Sequence, residues 1–209
     1  MPALPAAESV LAFALASALI ELTPGPNMAW LAILTLAEGR RSGLAAVLGV
    51  ALGLAGIGLA AALGLAALVA ASELAWQALR WAGVLFLLWL AWDGWRGAED
   101  GVPELRTRGR LRAFRRGLIT NLLNPKAAAF FVAVLPGFVG PADAVLASTL
   151  LLSALYVAIA TAIHGAIVLA ADGARRLFSD RRRTSVIRRG LSLLLAGVAL
   201  WFAWATGRG

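Results

Sequence analysis

Long apolar runs, each about the length of a membrane span, alternate with short polar segments along this chain. A span needs roughly 20 predominantly apolar residues. Six stretches meet or approach that length: Val10 to Ala37, Gly43 to Ala71, Trp76 to Trp95, Gly117 to Val139, Ala144 to Ala171 and Val186 to Thr206. None shows the single apolar stripe of a water-facing helix. Helices that are apolar all round belong in lipid or deep inside a large protein. The pattern predicts an all-α integral membrane protein.

Two of the six runs are interrupted. The first carries Glu21 and then Thr23-Pro24-Gly25-Pro26-Asn27. The fourth carries Asn121 and then Asn124-Pro125-Lys126. Proline removes an amide donor and breaks the helical ladder. The freed carbonyls and amides have no partner in hydrocarbon. Such breaks survive only where protein or a water-filled cavity surrounds them. Each break sits in the first helix of a three-helix half. Three is odd, so the second half enters the membrane from the opposite side. The reading is two inverted three-helix repeats with helices 1 and 4 broken at mid-membrane. One transmembrane domain then fills residues 1–209. Repeat one covers about 8–97, a basic linker about 96–116 and repeat two about 114–209.

Composition agrees. The chain of 209 residues is 61% hydrophobic and only 14% charged, against about a quarter charged in soluble domains. The net charge is +8, which in a soluble protein would suggest nucleic acid. The positions argue otherwise. The 1–2 loop carries Arg40 and Arg41, and the 3–4 and 5–6 segments carry seven arginines each. The opposite side has only Arg80 and Arg208. Basic loops mark the cytoplasmic side, so both termini are expected outside the cytoplasm, with no nucleic-acid partner. The same runs suit anionic lipid head groups, although fixing orientation is their simpler role. Trp76, Trp81, Trp92, Trp95, Trp201 and Trp204 lie at expected interfaces. The absence of Cys excludes disulfides and thiolate metal sites. Residues 1–10 lack Lys and Arg, so the first run is expected to be a retained helix and not a secretory signal.

Ionisable residues at mid-membrane are functional candidates by default. Glu21 and Lys126 qualify, and pair either with each other or with a substrate. In the fifth run His164 is the sole histidine, with Tyr156 and Thr161 one to two turns before it. It suits a proton relay or a local hydrogen bond. Asp93 and Asp172 lie beside Arg96 and Arg175 and read as interfacial partners. Ala45, Gly49 and Gly53 give the second run a smooth face for close helix approach.

Further residues carry a resemblance. Pro24-Gly25-Pro26-Asn27 precedes Gly39-Arg40-Arg41-Ser42-Gly43-Leu44. Leu79-Arg80-Trp81-Ala82-Gly83 follows, then Phe114-Arg115-Arg116-Gly117, Asn121-Leu122-Leu123-Asn124-Pro125-Lys126 and Leu135-Pro136-Gly137-Phe138. Over nearly its whole length the chain resembles the LysE/RhtB family of bacterial amino-acid exporters. The resemblance implies a multi-pass carrier in the bacterial cytoplasmic (inner) membrane, exporting amino acids and generally coupled to protons. It places Pro24, Gly25, Pro26, Asn124, Pro125 and Lys126 around the transport path. There are departures: many members have Pro-Gln-Phe where this chain has Pro136-Gly137-Phe138, and many have a tyrosine where it has Phe86. Members often place an acidic residue in the region of His164.

Taken together, a substrate-binding set is expected of Glu21, Thr23, Pro24, Gly25, Pro26, Asn27, Asn121, Asn124, Pro125 and Lys126. Glu21 and His164 are expected to handle the proton. No cofactor, metal or enzymatic constellation is expected. With one central acid, neutral or hydroxy amino acids are favoured over basic ones. Membrane lipids and a homodimer partner are further expectations. The alternatives are a metal or inorganic-ion exporter of related fold and a non-transporting scaffold.

Overall fold

A computed structural model describes residues 5–23, 25–64, 72–96, 106–139 and 145–175, together with short helical pieces between 189 and 204. Pro24, the linker 97–105, segment 176–188 and Trp201 lie outside the described residues. The described elements are all helical: α1 (Ala7–Leu22), α2 (Pro26–Glu38), α3 (Arg40–Ala62), α4 (Glu73–Arg96), α5 (Arg106–Leu122), α6 (Pro125–Ala129) and α7 (Val145–Arg175). α6 runs on into a π-helical turn at Phe130–Val134 and a 3-10 turn at Leu135–Phe138.

α3 and α7 are each long and apolar enough to cross a membrane alone. The interrupted runs are bent pairs. α1 and α2 meet at 57°, and α5 meets the helical stretch from Lys126 to Phe138 at 47°. Both breaks occur where proline forces them: Pro26 and Pro125 each occupy the first turn of the following helix, the one helical place where a missing amide costs nothing. Counting each pair as one span, four spans are present among the described residues. The expected third run forms α4, with its apolar part at Trp81–Trp92. Most of the sixth lies outside the described residues.

The helix that carries the fourth run is longer than the apolar run. The run begins near Gly117, whereas α5 begins at Arg106. The reason is a stripe. Ala113, Gly117, Thr120 and Asn121 are buried, while Arg112 and Arg115 are exposed on the other side. Helical periodicity lets the basic segment continue the helix.

α3 is the central element, packed on both α5 and α7. Its contact with α5 is made by backbone. A Cβ added to Gly49 would fall on the Phe114 carbonyl, and one added to Gly117 would fall on the Ala46 carbonyl. The close-contact row is thus Ala46, Gly49 and Gly53, adjacent to the smooth face read from sequence, and it serves packing. Gly49 meets Phe114 and Leu118, and Gly53 meets Leu118 and Asn121, so the two helices run parallel. Gly43 meets Val168 and Gly58 meets Ser153, so α7 runs antiparallel to α3.

These directions gather the arginines. Arg40 starts α3 where α7 ends, and its amide donates to Asp172 Oδ1 at 3.1 Å. Asp172 therefore caps a helix N-terminus, a favourable place for a carboxylate; the Asp93 side chain lies outside the described residues. The Arg116, Arg96 and Arg189 guanidiniums lie over the Trp89, Trp92 and Trp95 rings at 5.2, 4.7 and 5.3 Å from the centroids. Arginines from separate loops thus share one end of the bundle, called the basic end below.

Because Gly117 seats backbone on backbone, Gly117→Val is expected to lower stability by about 1–3 kcal/mol through overpacking. Gly165→Ala, with nothing within 4 Å of the added methyl, is expected to leave stability unchanged or raise it by up to about 1 kcal/mol, alanine being the better helix former. Thermal unfolding of the two variants in detergent measures the difference.

Candidate functional site

The two breaks face each other at mid-bundle. α1 ends at Thr23 and α2 leaves toward the basic end, while α5 arrives from the basic end and α6 leaves away from it. Four helix termini therefore converge. Their orphan amides and carbonyls need partners, and polar side chains supply several. Asn124 Oδ1 caps α6 by accepting from the Lys126 amide at 3.1 Å. Lys126 Nζ donates to the Thr23 carbonyl at 2.9 Å, placing a cation on the negative end of the α1 dipole. Asn27 Nδ2 donates to Asn121 Oδ1 at 2.8 Å across the two halves.

Glu21 closes the other side. It is 6% exposed. The Tyr156 hydroxyl donates to Glu21 Oε1 at 2.5 Å, and His164 Nε2 lies 3.4 Å from Oε2. Tyr156 and His164 are two turns apart on α7, so they present to one side of that helix. The carboxylate is thus held by α7, and the ammonium by the end of α1. Of the two pairings open at the sequence level, the Glu21–Lys126 contact is not formed among the described residues.

Glu21, Gly25, Asn27, Met28, Asn121, Asn124, Lys126 and His164 line one cavity. Its free space is that of about one water molecule. Of the expected residues, Thr23 joins through its carbonyl. Pro24 lies outside the described residues, as do the side chains of Pro26 and Pro125. Several polar atoms at or near the cavity are buried without a partner: Asn27 Oδ1, Asn121 Nδ2, His164 Nδ1 and Ser17 Oγ. Buried polar atoms normally have partners, so these are available for a ligand. Sequence reasoning named Tyr156 but gave it no task. The eight-residue spacing to His164 was the signal that both address the same neighbour.

Two apolar clusters flank the cavity. Toward the basic end lie Trp30, Leu31, Leu34, Val47, Leu87 and Leu90. Away from it lie Phe13, Phe130, Phe131, Leu135, Leu152 and Tyr156. The polar site therefore sits between two dry layers.

Comparison with known proteins agrees with this architecture. Residues 18–206 match the family described as LysE type translocator. A Salmonella typhimurium protein named homoserine/homoserine lactone efflux protein is 34% identical over 149 residues, 68% of this chain and 69% of the relative. An uncharacterized membrane protein of Vibrio cholerae is 32% identical, covering 63% of this chain and 65% of its own. The threonine efflux protein of Escherichia coli is 30% identical over 57% of this chain and 61% of its own. No solved structure matches. With the matched region spanning both broken helices and the cavity between them, the chain belongs to the LysE type translocator family.

Proposed function

We propose that this protein exports amino acids by alternating access across the bacterial cytoplasmic membrane, with protons as the coupling ion. The observation that carries the reading is the composition of the cavity. One carboxylate, Glu21, and one ammonium, Lys126, face it from separate elements. A neutral amino acid is a zwitterion and matches that pair charge for charge. A dibasic substrate would leave one ammonium without a counter-ion, which is costly at mid-membrane.

The remaining polar atoms favour a hydroxy amino acid. Asn27 Oδ1 is an unpartnered acceptor and Asn121 Nδ2 an unpartnered donor. A hydroxyl donates and accepts, so one group satisfies both. The names of the homoserine and threonine efflux relatives run the same way.

In the proposed cycle the substrate carboxylate takes Lys126 from the Thr23 carbonyl, assisted by the dipoles at the N-termini of α2 and α6. The substrate ammonium takes Glu21. A bound amino acid needs far more room than the present cavity offers, so the described arrangement is the closed one. Glu21 and His164 exchange the proton. The frame is six spans in two inverted halves, with the basic end in the cytoplasm and both termini outside it. The charge asymmetry of the loops supports that orientation. The carrier needs no cofactor and catalyses no covalent step.

Lys126→Ala is expected to reduce homoserine efflux from expressing cells to background, while membrane levels of the protein stay normal. Efflux at the parent rate in that variant contradicts the reading. Asn27→Ala and Asn121→Ala are expected to be coupled by about 1 kcal/mol in stability, since each removes the same hydrogen bond. A double-mutant cycle of thermal unfolding reads this. Both single variants are also expected to lose more efflux of homoserine than of alanine.

A further inference from the structure

Tyr156 belongs to two assemblies at once. Its hydroxyl is bound to Glu21. Its ring is stacked on Phe130, with centroids 3.9 Å apart and planes 10° off parallel, and meets Phe131 edge-on at 5.4 Å. Phe130 in turn meets Phe13 of α1 at 5.5 Å, and Phe13 meets Phe138 at 5.4 Å. Phe13, Phe130, Phe131 and Tyr156 are all at most 2% exposed. Aromatic pairs of this kind add to the energy of burial.

The position of this cluster matters. Phe13 precedes Glu21 by two turns on α1, and Phe130, Phe131 and Phe138 follow Lys126. All lie on the side of the cavity away from the basic end. The rings come from α1, α7 and the continuation of α6, so they close the route between cavity and non-basic end. Phe130 and Phe131 open the π-helical turn, a form that costs helical hydrogen-bond quality and recurs at functional sites.

We propose that Tyr156 is a positioning residue that couples the state of Glu21 to this aromatic closure. The inference rests on the exporter reading and adds the device that opens its exit side. A hydrogen bond to an ionised carboxylate is about twice as strong as one to a neutral group. While Glu21 is ionised, its bond to Tyr156 holds the ring against Phe130 and Phe131. When Glu21 is neutralised by a proton, or engaged by a substrate ammonium, that bond weakens and the stack loosens. The groups that face Glu21 are Tyr156 and His164 on α7 and, across the cavity, Lys126 on α6. The turn Leu135–Phe138, which also packs on α1, brings no titratable group.

The chain has no cysteine, so a single introduced thiol reports without background. Ser17 is fully buried on α1, one turn from both Phe13 and Glu21. The probe is Ser17→Cys, labelled in detergent micelles by a charged methanethiosulfonate that reaches both ends. Rates are compared near pH 7 with and without Tyr156→Phe. The Tyr156→Phe protein is expected to label about tenfold faster or more, the worth of a hydrogen bond to a charged group. In a Glu21→Gln background, where no carboxylate can form, the same comparison is expected to give a ratio near unity. Glu21→Gln alone should likewise speed labelling, with ring and hydroxyl intact. Phe130→Leu should speed labelling in both backgrounds.

A ratio near unity throughout overturns the proposal. So does a ratio equally raised in the Glu21→Gln background, because Tyr156 would then be packing alone. Unchanged labelling in Phe130→Leu shows that the rings are not the closure, which also overturns it. No substrate is used, so absence of amino-acid efflux by the parent protein alongside the expected labelling pattern would count against the exporter reading alone.

Discussion

The contact of Lys126 Nζ with the Thr23 carbonyl joins the two halves of the molecule where both are weakest. Each bent helix pair breaks at a proline, and each break exposes backbone that hydrocarbon cannot satisfy. Lys126 answers one break from the other. Its own helix starts beneath the Asn124 cap, and its ammonium closes the carboxyl end of α1. The Asn27–Asn121 bond repeats the arrangement one step away. The two breaks thus supply partners to one another. Among the described residues, Asn27 Oδ1, Asn121 Nδ2 and His164 Nδ1 stay unpaired on residues that line the cavity.

That joint solution explains why charge is tolerated there. Glu21 and Lys126 avoid direct contact, each leaning on a neutral polar partner. A direct ion pair would be strong in this surrounding and slow to open. Two charges held separately by a tyrosine and a carbonyl are easier to redistribute to a zwitterion. The dry layers on either side serve the same end. Apolar packing lies near the basic end and aromatic packing away from it, with the polar site between them.

Much of this was legible in the sequence, and the physical reasons are local. Proline at Pro24, Pro26 and Pro125 fixes where helices break whatever surrounds them. Arginine counts fix an end of the bundle, since charge is excluded from lipid. Tertiary partners were less legible. Asp172 looked like a neighbour of Arg175 but caps α3, because antiparallel packing of α3 and α7 brings Arg40 to it. That α5 reaches back to Arg106, before the apolar run that begins near Gly117, was not legible, because hydropathy averages over a helix and hides a buried stripe beneath arginines. Tyr156 was named without a role, since nothing in linear order shows that its ring meets Phe130 while its hydroxyl meets Glu21. The small cavity and its unpaired amide atoms exist only in three dimensions.

The central claim is that an amino acid binds at the junction of the broken helices, charge matched to charge. The most direct test is a structure of the protein with homoserine bound in a lipid nanodisc. The account predicts the homoserine carboxylate on Lys126, with Nζ moved off the Thr23 carbonyl, and its ammonium on Glu21. Homoserine bound elsewhere, with the Lys126–Thr23 contact intact, would contradict it.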